Sequence, residues 1–256
     1  MRANTQRHRS RKGVYLLPSL FTFGNMILGF YAFVLALRGN YQTAALLIFI
    51  AGILDAFDGR IARLTGTESA FGGEFDSLAD VFTFGAIPAI LAHLWGLQAF
   101  GRIGWLIPVF YLLCAATRLA RFNVQSTTVD SRFFVGLPTP PAAATAASVL
   151  YFLSPGGDTV LSAALMMGTL IATGILMVST FRYRSFKQFD LSRPWSYRTA
   201  ATMAGLILLI VYNPPVVFFS TALVYTLSGP TEWLIRRLRH TRVDPRPLDE
   251  ASRTRK

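Results

Sequence analysis

The sequence predicts an all-α fold: a polytopic integral membrane helix bundle of about eight transmembrane helices with both termini cytoplasmic. Three observations predict it. The 256 residues are 52% hydrophobic, with a mean hydropathy of +0.42 and only 15% charged residues, whereas soluble domains carry about 25%. The apolar residues fall into runs close to the roughly 20 that a bilayer span needs. The 25 Lys and Arg gather at the two ends and in short segments between those runs.

Composition also excludes several classes. Leu, Ile, Val and Phe are too abundant for a disordered chain. Cys114 is the only cysteine, so neither an intrachain disulfide nor a Cys-rich metal site can form. A net charge of +12 fits nucleic-acid binding or membrane topology. The distribution favours topology, so the lipid bilayer is the expected partner and nucleic acid is not.

Residues 1–15 form a basic cytoplasmic segment with Arg2, Arg7, Arg9, Arg11 and Lys12. The first candidate span, 16–37, is too long for a signal-peptide core and lacks a small-residue cleavage site, so it reads as a retained helix. Further candidates cover 42–60, 78–97, 103–120, 137–154, 159–180, 198–213 and 215–234. The fifth is short and opens on Pro138, Pro140 and Pro141. Asn213-Pro214-Pro215 reads as a tight turn between the last two, antiparallel, helices. The transmembrane domain therefore covers 16–235, and 236–256 is a basic, frayed cytoplasmic tail. Trp95, Trp105, Trp195 and Trp233 fall near span ends, where membrane interfaces collect Trp.

Charge counting orients the spans. With both ends inside, the cytoplasmic segments hold 23 of the 25 Lys and Arg, and the outer loops hold only Arg38 and Arg102. That asymmetry is the positive-inside pattern.

Six of the 13 acidic residues lie within the 26 residues from Asp55 to Asp80. Asp55 and Asp58 stand three apart near the cytoplasmic end of span 2. Asp76 and Asp80 stand four apart at the start of span 3. Each pair shares a helix face. A connection of about 15 residues lets the pairs face each other. Four ionised carboxylates in a low-dielectric place demand compensating cations. Two Mg²⁺ or Mn²⁺ ions suit hard oxygen ligands and also bind phosphates. His8, His93 and His240 are scattered and carry no expected ligand role. Gly59, Ala62 and Gly72 allow either close ligand approach or helix packing. Arg63 can hold a diphosphate or serve topology alone.

The string Asp55-x2-Asp58-Gly59-x2-Ala62-Arg63-x8-Gly72-x3-Asp76-x3-Asp80 resembles the signature of the CDP-alcohol phosphatidyltransferase family, position for position. Pro18-Ser-Leu-Phe-Thr22-Phe-Gly-Asn25, Arg118-Leu-Ala-Arg121-Phe-Asn123, Phe134-Val-Gly136-Leu-Pro138-Thr-Pro140 and Ser179-Thr-Phe-Arg182-Tyr-Arg-Ser185-Phe-Lys187 are similar to its phosphatidylserine synthase branch. Ser19 stands where that branch often has Asn.

The resemblance implies transfer of the phosphatidyl group of CDP-diacylglycerol to L-serine, giving phosphatidylserine and CMP. It implies a metal site on Asp55, Asp58, Asp76 and Asp80, with Asp80 as general base. It implies a CDP-lipid site on Thr22, Gly59, Ala62, Arg63 and Gly72. Arg118, Arg121 and Asn123 are the favoured serine-binding residues, with Arg182, Ser185 and Lys187 as further candidates. The active site is expected at the cytoplasmic face of the cell's inner membrane. Family precedent and many small helix residues allow a homodimer. Glycerol 3-phosphate, inositol or an inositol phosphate are alternative acceptors. A cation transporter built on the Asp cluster fits less well, because the acids sit at span ends and no halves repeat. A membrane-anchored nucleic-acid binder using the basic tail fits least.

Overall fold

The structure, a computed structural model, describes residues 16–65, 70–125, 133–154, 159–184 and 197–240. Its helices are α1 (Leu16–Leu37), α2 (Tyr41–Thr65), α3 (Ala70–Asp80), α4 (Ile87–Trp95), α5 (Gly101–Gln125), α6 (Thr139–Leu153), α7 (Val160–Val178), α8 (Tyr197–Tyr212) and α9 (Pro214–His240). A π-helical turn, Val81–Ala86, joins α3 to α4 as one rod, and a 3-10 turn, Leu97–Phe100, leads into α5. Strands β1 (Phe133–Val135) and β2 (Arg182–Arg184) pair antiparallel, with Phe134 opposite Tyr183.

Every predicted span has a helical rod at its place, counting α3 to α4 as one. Four helices among the described residues are long and apolar enough to cross a membrane: Leu20–Leu37, Phe71–Trp95, Leu97–Val124 and Val160–Val178. Large apolar side chains stand exposed on α1 (Leu20, Ile27), α7 (Val160, Leu161) and α8 (Leu208, Val211). Water penalises such a surface and lipid accepts it. The chain is an all-α membrane protein.

The structure departs from the sequence reading in three places. Helix α2 continues to Thr65 and α3 already begins at Ala70, so the connection between the Asp pairs is far shorter than about 15 residues. Arg60, Ala62, Arg63 and Leu64 are good helix formers and propagate the helix. The small β1–β2 ribbon interrupts the all-helical plan; its three-residue strands are too short to show alternation in sequence. Helix α9 runs on through Arg236 to His240, inside the segment read as tail. Basic residues at a helix C-terminus favour that extension. The N-terminal segment 1–15 and the tail from 241 lie outside the described residues.

Helix α6 is the centre of the bundle. Its 15 residues open on Thr139-Pro-Pro, where a missing N–H costs nothing. Ala142, Ala143, Ala146, Ala147 and Ser148 are all buried. Such small side chains let α2, α7 and α9 close in around it.

Three prolines sit inside helical rods, and each one removes the bond to the carbonyl four residues earlier. Pro88 frees the Phe84 carbonyl, and the buried Tyr111 hydroxyl donates to it at 3.0 Å. The rod relaxes there into its π-helical turn, with Ile87 N–H reaching back to Phe82 O. Pro108 frees the Gly104 carbonyl, which His93 Nδ1 meets at 2.9 Å. Pro230 frees the Thr226 carbonyl, and the Tyr183 hydroxyl donates to it at 3.0 Å. Burial, with a smaller contribution from Tyr225, holds the Tyr183 phenol above its usual range, so it remains a donor. His93 thus has a structural task.

A latch ties α5 to α7. The C-terminal carbonyls of a helix lack partners within it. Arg121 on α5 donates to Val178 O at 2.9 Å, Ser179 O at 3.0 Å and Met177 O at 3.4 Å, and to Val135 O of β1 at 3.0 Å. Gly136 follows with φ +82°. A Cβ there would overlap the Met177 carbonyl and press on Arg121 Nη2, so only glycine fits this corner.

The proline repair is testable at Tyr183. Tyr183→Phe leaves the Thr226 carbonyl unpaired and is expected to cost about 1–3 kcal/mol, read as a lower thermal midpoint in detergent. Adding Pro230→Ala returns an N–H to that carbonyl and should recover much of the loss. Equal midpoints for Tyr183→Phe and wild type would remove this account.

Candidate active site

The later part of α2, the start of the α3 rod and the last turns of α5 meet at one end of the bundle. Leu54 of α2 packs on Gly24 of α1, where a Cβ would stand only 3.0 Å from Leu54 Cδ2. This close approach seats α2 on α1, the helix that also packs against α3. One carboxylate oxygen each from Asp55, Asp76 and Asp80 lies within 4.8 Å of the others. Asp80 is buried, and Asp55 and Asp76 are half-buried. Both Asp55 and Asp76 repel the charge on Asp80. Asp58 lies one turn beyond Asp55 in α2; its side chain falls outside the described residues.

Arg118 of α5 faces this cluster. It is buried at 6% exposure. Its guanidinium is attracted by Asp80 and Asp55. Nη1 donates to Thr139 Oγ1 at 3.3 Å, and the plane lies 5.2 Å from the Phe122 ring and 6.0 Å from the Phe134 ring. These contacts fix a cation beside the acids. Asn123 Nδ2 donates to Ser77 Oγ at 3.0 Å, which couples α5 to the stretch of α3 between Asp76 and Asp80. Arg121 is different: its donors serve the latch, and it does not join the cluster.

Residues 15–179 match the protein family described as CDP-alcohol phosphatidyltransferase. The chain belongs to that family. It is 35% identical over 227 residues to a CDP-diacylglycerol–serine O-phosphatidyltransferase of Helicobacter pylori, covering 86% of this chain and 92% of that one. It is 36% identical over 172 residues to the Bacillus subtilis protein of the same name, covering 67% and 92%. It is also 38% identical over 169 residues to an archaetidylserine synthase of Methanothermobacter thermautotrophicus, covering 65% and 69%.

As a member of this family, the chain presents a donor set that fits divalent metal. Three carboxylates converge, no His or Cys joins them among the described residues, and Asp76 Oδ1 and Asp80 Oδ1 are buried without a hydrogen-bond partner. Hard oxygens in that arrangement suit Mg²⁺ or Mn²⁺. Arg118 sets one positive charge beside these carboxylates, and closely placed buried carboxylates call for further cationic compensation.

The other predicted residues divide. Thr22 is buried on α1, and Gly72 is half-buried on α3. Gly59 is exposed on α2, and a Cβ there would meet nothing within 4 Å. Ala62 and Arg63 occupy the last turns of α2, but their side chains, like Ser19, Ser185 and Lys187, lie outside the described residues. Arg182 is exposed in β2.

Two residues had no assigned role in the sequence reading. Asn25 is fully buried with neither side-chain atom hydrogen-bonded. Tyr225 of α9 lies within electrostatic reach of Arg118, its ring 5.8 Å from that of Tyr183. It stands beyond the matched residues 15–179, and no short-range pattern links it to α5.

Metal binding should be visible as stability. A ligand at about 100 times its Kd adds about 2.7 kcal/mol to the folded state. Millimolar Mn²⁺ or Mg²⁺ is therefore expected to raise the thermal midpoint of chelator-treated protein, and Asp76→Asn to abolish most of the rise. An unchanged wild-type midpoint would argue against a metal centre here.

Proposed function

We propose that the protein is a CDP-diacylglycerol–serine O-phosphatidyltransferase. It transfers the phosphatidyl group to the hydroxyl of L-serine and releases CMP. The observation that carries this reading is the convergence of Asp55, Asp76 and Asp80 beside the buried Arg118, in a chain similar to serine-named synthases.

In this reading Asp55, Asp58, Asp76 and Asp80 hold two Mg²⁺ or Mn²⁺ ions. Metal bound there neutralises the diphosphate and stabilises charge on the transferring phosphoryl group. Open space at Gly59 admits the CDP-lipid, whose polar part contacts Thr22, Ala62, Arg63 and Gly72. A serine hydroxyl is a poor nucleophile, so a carboxylate in hydrogen-bond reach must take its proton. Asp80 takes this role, as the most buried member of the cluster. As the serine Oγ–P bond forms, the P–O bond to CMP breaks and the serine proton passes to Asp80. No enzyme-bound intermediate is required.

Arg118 reads the serine carboxylate. Asn123 holds α3 in register through Ser77, and Arg121 holds α5 in place through the latch. Each thereby positions Arg118 and the acids. The site opens to the cytoplasmic face of the cell's inner membrane, a reading supported by the excess of Lys and Arg in the segments next to the ends of α2 and α5. Acyl chains remain in the bilayer, and a homodimer belongs to the same reading.

Two measurements test it. Purified protein with CDP-diacylglycerol and Mn²⁺ or Mg²⁺ should release CMP only when serine is added. Asp80→Asn should lower that rate by about 100-fold or more, the scale of a lost general base. Release with glycerol 3-phosphate or inositol in place of serine would overturn the acceptor while keeping the chemistry. Arg118→Lys keeps the charge but loses the flat guanidinium. It should raise KM for serine about tenfold and leave KM for the CDP-lipid nearly unchanged. Equal effects on both substrates would remove Arg118 from the serine site.

A further inference from the structure

Among the described residues, four buried side-chain polar atoms have no hydrogen-bond partner: Asn25 Nδ2, Asn25 Oδ1, Asp76 Oδ1 and Asp80 Oδ1. Two belong to the carboxylate cluster. The other two belong to one amide on α1, 0% exposed, with its donor and its acceptor both idle. Burying an amide in this way is costly, and such groups are rare in folded proteins.

Packing places this amide beside the cluster. Phe23 of α1 packs on Phe75 of α3, ring centroids 5.0 Å apart. Further along both helices, Thr83 Oγ1 donates to the Asn25 carbonyl at 3.4 Å, and Gly29 has no side chain where Thr83 presses closest. The two rods therefore run in the same direction. Thr83 lies about one turn beyond Asp80. A helical side chain leans toward the N-terminus of its own helix. The Asn25 side chain thus reaches back from the level of Thr83 to that of Asp80. Thr22, one turn earlier, lines the same face of α1.

The idle atoms define a complementary ligand. Three are oxygens that require a cation or a donor. One, Asn25 Nδ2, requires an anion or an acceptor. A cation held by carboxylates beside a phosphate ester supplies both. We infer that Asn25 is a substrate-contacting residue of this site. Its Nδ2 donates to an anionic phosphoryl oxygen of the CDP-linked substrate. Its Oδ1 would add a neutral oxygen beside the carboxylates that would hold a cation. This inference rests on the proposed transferase reading.

The test uses the full chain in detergent, with Mn²⁺ and CDP as probes and no turnover. Mn²⁺ binding is read from loss of the free-ion paramagnetic resonance signal, and CDP binding by calorimetry with Mn²⁺ present. Asn25→Leu is expected to weaken both by about tenfold or more, the scale of a hydrogen bond to a charged group. Its thermal midpoint without metal or nucleotide should equal or exceed that of wild type, because an apolar isostere removes two unpaired atoms. Asn25→Asp keeps an oxygen and loses the donor, so it should retain Mn²⁺ affinity and lose CDP affinity. If Asn25→Leu fails to fold, Asn25→Ser carries the same binding comparison. Wild-type affinities in the Leu variant, or a lowered midpoint with unchanged affinities, would overturn the role of Asn25 alone. Wild-type protein that binds neither probe would overturn the transferase reading and the role of Asn25 with it.

Discussion

A bilayer offers no water to repair an unpaired polar group, and this constraint organises the bundle. Three prolines interrupt its rods, and three side chains from other elements take over the freed carbonyls: Tyr111, His93 and Tyr183. Each repair also joins two elements, α5 to the α3 rod, α4 to α5, and β2 to α9. The prolines therefore do more than bend helices. They create acceptors at which a tertiary contact can form with a defined partner.

Against that background the cluster end of the bundle is the exception. The unpaired buried side-chain atoms among the described residues all belong to Asp76, Asp80 and Asn25. Two of these four atoms belong to the carboxylates that converge there. The π-helical turn directly after Asp80 belongs to the same picture. It arises from Pro88, and it sets the rotation between the face carrying Asp76 and Asp80 and the packed half of the rod.

Much of this was legible in the sequence. Helix positions follow from run length: each apolar run holds a helical rod, and four of these rods among the described residues are long and apolar enough to cross a membrane. The acids were legible because helix periodicity is local: Asp76 and Asp80 stand four residues apart on one rod, and Asp55 meets them from α2. The β1–β2 ribbon was not legible, because three residues are too few to reveal a period. Nor were the partners of the prolines. Pro230 is 47 residues from Tyr183 in the chain, and nothing local connects them. Tyr225 and Asn25 escaped for the same reason: their meaning depends on what other helices bring to them.

Arg118 and Arg121 show where sequence reasoning stops and packing decides. They are the same residue type, three apart on one helix, and a sequence offers both as anion readers. Burial separates them. Arg118 is packed between Phe122 and Phe134 and faces Asp80 and Asp55. Arg121 is half-buried and commits its guanidinium to four backbone carbonyls. Nη2 alone serves three of these carbonyls and Nη1 the fourth, so the outer edge of the Arg121 guanidinium is committed to backbone. The two also repel each other, and the repulsion is tolerable because one is balanced by carboxylates and the other by the negative end of α7. The latch therefore contributes to chemistry indirectly. By fixing the end of α5 with neutral carbonyls, it holds Arg118 against the acids without adding a competing carboxylate to the site.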